Sequence, residues 1–100
     1  MNDTEIIFTR KQVAEIIGCT VLTISNREKS GVYPEPRRVE KNNYRYYTLG
    51  DIFLLQEISF DGVFVGSILA VMWDMGYHDP SVCEKIIDTA LEEYRREKDE

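Results

Sequence analysis

The sequence predicts a mainly α fold with a two-stranded β-wing: two short helices, one hairpin, then C-terminal helices. Three observations predict it. Apolar residues recur at helical spacing behind side chains that cap helix starts. Pro34 and Pro36 then interrupt that spacing, and two short β-prone runs follow them. Helical spacing resumes at Leu49 and continues nearly to the end. One hundred residues, 43% of them hydrophobic, suffice for one compact core and are too few for two.

Residues Met1 to Ile7 read as a lead-in, and Thr9 as the N-cap of a helix that turns Val13, Ala14 and Ile17 to one side before Gly18 ends it. Thr20 caps a second helix from Val21 to about Lys29, with Val21 and Ile24 expected inward and Gly31 just past its end. Two helices joined by Gly18-Cys19-Thr20 make a helix-turn-helix. Val32-Tyr33-Pro34-Glu35-Pro36 is an extended connector, because each proline lacks an N–H and biases its predecessor away from helix. Arg38-Val39-Glu40 and Tyr44-Arg45-Tyr46-Tyr47 flank Lys41-Asn42-Asn43, where asparagine suits the left-handed backbone of a tight turn. The front of the chain is therefore a winged helix-turn-helix.

Thr48-Leu49-Gly50-Asp51 resembles a capping box with Asp in place of Glu, opening a helix that should bury Leu49, Ile52, Leu55 and Ile58. The stretch Val63 to Met75 is too uniformly apolar for an exposed helix, so burial in the domain or in a subunit interface is expected, with Met72 and Trp73 as core and Gly76 as terminator. Asp79-Pro80 starts a last helix with Val82, Ile86, Ala90 and Tyr94 in one row, flanked by Ile87 and Leu91, and an acidic opposite face. That row fits packing on its own domain and fits a dimer helix equally well. The head is assigned to residues 1–58 and the helical C-terminal part, for packing or dimerisation, to residues 59–100.

The net charge of −6 hides a division. Residues 10–50 hold eight basic side chains against four acidic, whereas residues 51–100 hold four against twelve. A local basic patch is what captures phosphates, so the front half is suited to nucleic acid and the rear half to solvent or a protein partner. Cys19 and Cys83 lack metal-ligand spacing and read as small hydrophobes, and no signal-like or membrane-spanning run is apparent; a soluble cytoplasmic protein is expected. His78 has no nucleophile arranged around it, no Gly-rich phosphate loop is present, and Glu92-Glu93 and Asp99-Glu100 read as solvated charges. Neither catalysis nor a cofactor is expected.

The order Phe8-Thr9-Arg10-Lys11-Gln12-Val13-Ala14-Glu15-Ile16-Ile17-Gly18-Cys19-Thr20, then Thr23-Ile24, Gly31-Val32, Pro36-Arg37-Arg38, Asn43-Tyr44-Arg45-Tyr46-Tyr47 and Leu49-Gly50-Asp51-Ile52 resembles the reading head of the MerR superfamily. That head also occurs in phage and plasmid excisionases, terminase small subunits and chaperone modulators, so the resemblance bears on fold more than on task. Where MerR proteins carry Arg-Tyr-Tyr-Glu after the helix leucine, this chain has Ser25-Asn26-Arg27-Glu28, and those Arg and Tyr contacts do not transfer. The family's long dimer helix and cysteine-bearing effector loop are also missing, which argues against metal sensing.

The residues point to double-stranded DNA on their own terms, since a major groove admits one α-helix bearing short polar side chains. Thr20, Thr23, Asn26 and Arg27 are the expected base readers, with Asn26 suited to adenine and Arg27 to guanine. Arg10 and Lys11 at a helix start are expected on phosphates. In the wing, Arg37, Arg38, Lys41, Asn43, Tyr44 and Arg45 are expected on phosphate and sugar, and the resemblance implies minor-groove insertion for Tyr44-Arg45. Bland rivals exist: Arg37 or Arg38 bridging Glu35 or Glu40, Arg27 pairing on the surface, and Tyr47 as core beside a more exposed Tyr46. The expected function is a sequence-specific regulator or an excisionase-like recombination directionality factor, acting as a homodimer through the C-terminal helices. The alternative is an adaptor that binds a protein through its acidic C-terminal face.

Overall fold

The structure, a computed structural model, describes residues 6–98; the first five residues of the lead-in and Asp99-Glu100 lie outside the described residues. Two helices come first, α1 (Arg10–Ile17) and α2 (Val21–Lys29), followed by β1 (Arg37–Val39) and β2 (Tyr44–Tyr46) and then α3 (Leu49–Phe60), α4 (Val65–Asp74) and α5 (Pro80–Lys98). The molecule is mainly helical with one small antiparallel sheet, the arrangement of a helix-turn-helix and wing followed by helices.

Local chemistry sets most of the boundaries. Thr9 and Thr48 each accept a hydrogen bond from the backbone three residues on, while Gln12 and Asp51 reach back to the cap N–H, so two capping boxes start α1 and α3. The Thr20 hydroxyl caps α2 by accepting from the Thr23 N–H, with no reciprocal side-chain bond to the cap N–H, and the Asp79 carboxylate accepts from the Ser81 N–H at 3.0 Å to start α5. Gly18 closes α1 at φ 86°, a left-handed position where a Cβ is costly.

The hairpin sits one residue earlier than the sequence suggests. Arg37 pairs with Tyr46, Arg38 with Arg45 and Val39 with Tyr44, leaving Glu40 to Asn43 as the turn. Asn43 takes φ 59° and its N–H donates to the Val39 carbonyl at 2.7 Å; the Tyr44 N–H donates to Asn42 Oδ1 at 3.1 Å. Glu40 is thus used in the turn rather than in a strand. The stem is fastened by a bridge in which Phe8 and Tyr47 exchange backbone hydrogen bonds of 2.8 and 2.9 Å.

One cluster of buried side chains runs from Ile6 and Phe8 through Val13, Ile24 and Ile52 to Met72 and Ile87. Helix α3 lies against α1 and α5, and α4 also lies against α1 and α5, so head and C-terminal helices share that core. Gln56 is fully buried within it. Its side-chain amide donates to the Phe64 carbonyl at 2.8 Å and its Oε1 accepts from the Phe64 N–H at 3.1 Å, which satisfies the otherwise uncapped entry to α4.

Three expectations about burial are corrected. Val21 is 42% exposed, Ile58 42% and Trp73 53%. Their inward places are taken by Ile24 alone on α2, by Phe53 and Gln56 on α3, and by Ile68, Val71 and Met72 on α4. Trp73 instead packs at the surface against His78, ring centroids 4.6 Å apart and planes tilted by 44°, and its carbonyl contacts His78 Nε2 at 2.9 Å. On α5, Cys83 and Ile87 are buried, while Ile86, Ala90, Leu91 and Tyr94 pack against the core from partly covered positions. The Cys83 thiol donates to the Tyr77 carbonyl at 3.4 Å, and Cys19 is half-buried.

Candidate nucleic-acid interface

Helix α2 has only one fully buried hydrophobe, Ile24, so its rotation about its own axis has to be fixed by something else. Polar side chains fix it. At about 100° per residue, Arg27 and Glu28 flank Ile24 on the inward side. The Glu28 side chain is 7% exposed. Its carboxylate accepts from the Tyr47 hydroxyl at 2.5 Å and pairs with the Arg10 guanidinium, which also donates to the Tyr47 hydroxyl at 3.2 Å. The start of α1, the inner face of α2 and the foot of the wing therefore meet in one charged cluster.

Arg27 is held from the other side. Its guanidinium donates to the Tyr33 hydroxyl at 2.7 Å and lies 5.5 Å from the Tyr33 ring centroid, and that hydroxyl continues to Ser59 on α3. Titration follows this packing. Burial, reinforced by the hydrogen bond to Glu28, pushes Tyr47 up to about 12. Burial alone would make Arg10 easier to neutralise, but the Tyr47 hydrogen bond and the Glu28 charge outweigh it and move Arg10 upward. Burial also raises the Cys19 thiol, with Arg27 opposing.

With that side locked, the opposite side of α2 is set. Leu22, Asn26 and Lys29 lie along the outward row at i, i+4 and i+7, and all three are exposed, with the partly covered Thr23 and Ser25 at its margins. Of the expected base readers, Asn26 is exposed in the centre of that row. Thr20 uses its hydroxyl as the cap, accepting from the Thr23 N–H at 3.1 Å, and its Oγ1 is 3.0 Å from that of Thr23. Arg27 faces the connector. Leu22, Ser25 and Lys29 are additions that the sequence reading lacks, because placing Val21 inward rotates the helix away from them.

Lys11 is exposed on α1, whereas the neighbouring Arg10 is engaged with Glu28 and Tyr47. In the wing, Arg37 donates through Nε to Asp51 Oδ2 at 2.9 Å, an ion pair to α3. Strand alternation puts Arg37, Val39, Tyr44 and Tyr46 on one face and Arg38 and Arg45 together on the other. Arg38, Lys41, Asn43, Tyr44 and Arg45 are all exposed, Tyr44 by 69%. Arg38 and Arg45 stand directly opposite each other, with no ion pair to either among the described residues.

A helix-turn-helix with an exposed polar row on its second helix, followed by a cationic hairpin, has a counterpart among known proteins: the family model described as MerR HTH family regulatory protein matches residues 8–60. The chain belongs to the MerR helix-turn-helix family. No curated protein and no solved structure matches it. In this MerR-family protein the match takes in α1, α2, the wing and α3, and leaves α4 and α5 outside. The head is therefore of a DNA-binding, regulatory kind.

Proposed function

We propose that this MerR-family protein is a sequence-specific regulator of double-stranded DNA, acting in the cytoplasm, with the outward row of α2 in the major groove and the wing on the flanking strand. Its task is transcriptional control or, in the excisionase manner, control of recombination. The observation that carries the proposal is the Arg38–Arg45 pair. Like charges directly across a hairpin repel, and here no carboxylate offsets them among the described residues. A phosphate backbone supplies the missing anion.

Within this reading Asn26 hydrogen-bonds a base, Lys29, Lys11 and Lys41 meet phosphates, Arg38 and Arg45 grip the strand beside the groove, and Asn43 and Tyr44 contact its sugar-phosphate edge or enter the minor groove. Thr20 and Thr23 line the helix entry. Arg10 and Arg27 hold α2 at the correct rotation, and Arg37 holds the wing to α3. Two heads joined through the C-terminal half match half-sites about 34 Å apart; Phe64 and Trp73, each 53% exposed, provide apolar surface for that contact.

In vitro selection from random duplexes with the full chain tests the proposal. A recurrent motif is expected, with Asn26→Ala relaxing one position and Arg45→Ala weakening all sequences alike while lowering the salt slope by about one. Selection that returns no motif at moderate salt overturns the reading. Sedimentation of the full chain, alone and as Trp73→Glu, tests the dimer: a dimer that becomes a monomer is expected, and a wild-type monomer refutes it.

A further inference from the structure

Leu22 is the most exposed of the large aliphatic side chains among the described residues, at 68%. It stands in the first turn of α2, four residues before Asn26 on the same outward row, with the hydroxyl-bearing Thr23 and Ser25 to either side. Nothing in the fold uses it: Ile24 anchors the helix, and Leu22 is outside the buried cluster and outside the partly covered residues packed on it. An apolar side chain in that place has no partner in water. In a major groove it has one kind, because the 5-methyl group of thymine is the apolar feature of an otherwise polar base edge.

We propose that Leu22 reads a thymine by contact with its 5-methyl group, an inference that rests on the outward row of α2 entering the major groove. Geometry ties the reading to Asn26. Four residues of helix rise about 6 Å, less than two base-pair steps at about 3.4 Å each. A thymine therefore lies within two base pairs of the adenine that Asn26 recognises. Leu22 acts only through shape and apolar contact, so it discriminates the presence of the methyl group and not the hydrogen-bonding edge of the base.

Deoxyuridine substitution isolates that methyl group, since it removes the methyl and leaves pairing and hydrogen-bonding groups in place. Each thymine of the selected site is replaced in turn, and affinity for the full-length protein and for Leu22→Ala is measured by fluorescence anisotropy. One position within two base pairs of the Asn26 adenine is expected to weaken wild-type binding about fourfold, the factor expected from burial of one methyl group. The same replacement should leave Leu22→Ala unchanged, and Leu22→Met should restore sensitivity. If a preferred duplex is bound but no thymine methyl matters, or one matters equally to wild type and Leu22→Ala, the assignment of Leu22 is overturned and the DNA-binding reading stands. If no duplex is preferred at all, both fall together.

Discussion

Replacing Glu28 tests what orients helix α2. Its carboxylate is 7% exposed, and the Arg10 side chain paired with it is 16% exposed, so truncation to alanine strands a largely buried guanidinium and removes an acceptor from Tyr47. Breaking a buried ion pair from one side costs about 3–5 kcal/mol, and the residual water access of Arg10 places this case near 3 kcal/mol. In a domain of this size that lowers the melting temperature by roughly 12–24 °C. Glu28→Gln keeps the shape and one acceptor oxygen and should cost about 1–2 kcal/mol. Urea unfolding followed by circular dichroism measures each variant, with an unchanged m-value expected. The decisive comparison is Arg10→Met in both backgrounds. If the pair is a working unit, removing Arg10 after Glu28 should cost at least about 1.5 kcal/mol less than removing it alone. Losses that add within about 0.5 kcal/mol would refute the argument.

Gln56→Leu strands the Phe64 N–H and leaves the Phe64 carbonyl only a long contact from Ser67 Oγ at 3.5 Å, so it should destabilise by about 1–3 kcal/mol; a loss under about 1 kcal/mol in urea would mean that the α3–α4 junction does not depend on it. Tyr47 titrates higher in the folded protein than in the unfolded chain, so its stabilising contribution is complete below about pH 10 and disappears as pH rises through about 12. Stability should accordingly fall more steeply over that window for wild type than for Tyr47→Phe in parallel unfolding titrations. Asn43→Val puts a β-branched residue at φ 59° and should cost about 1–2 kcal/mol, while Asn43→Gly at the same turn should be neutral or stabilising.

Features governed by neighbouring residues were legible in the sequence. Thr9, Thr20, Thr48 and Asp79 announce helix starts because their partners are two or three residues away, and the two prolines of the connector exclude helix without reference to the rest of the molecule. Tyr47 as the covered member of its tyrosine pair also follows from strand alternation. Helix faces were less legible. The periodicity argument sends apolar residues inward, and it fails where a polar residue has a partner on a distant element: Glu28 with Arg10 and Tyr47, Gln56 with Phe64. Each such residue takes an inward place and leaves an apolar side chain, Val21 or Ile58, near the surface. For the candidate site the consequence is specific: with Val21 and Ile24 both inward the outer face is centred on Asn26 with Thr23 beside it, whereas with Arg27 and Glu28 flanking Ile24 the outward row shifts toward Leu22 and Lys29.

That rotation is why the buried polar cluster bears on recognition as well as on stability. A short helix anchored by Ile24 alone has little to oppose rolling, because apolar contact is non-directional. Hydrogen bonds and ion pairs are directional. Glu28 fixes one flank of Ile24 through Arg10 and Tyr47, and Arg27 fixes the other through Tyr33 and Ser59. A roll of one residue, about 100°, would carry Leu22 and Asn26 out of the outward row while leaving the backbone path of α2 almost unchanged. Because Tyr47 directly follows β2, the group that sets this rotation also sets the foot of the wing. On the proposed DNA-binding reading, base choice and grip on the flanking strand are thereby coupled. Variants of Glu28 should alter both together, in contrast to Asn26→Ala, which alters base choice alone, and Arg45→Ala, which alters grip alone.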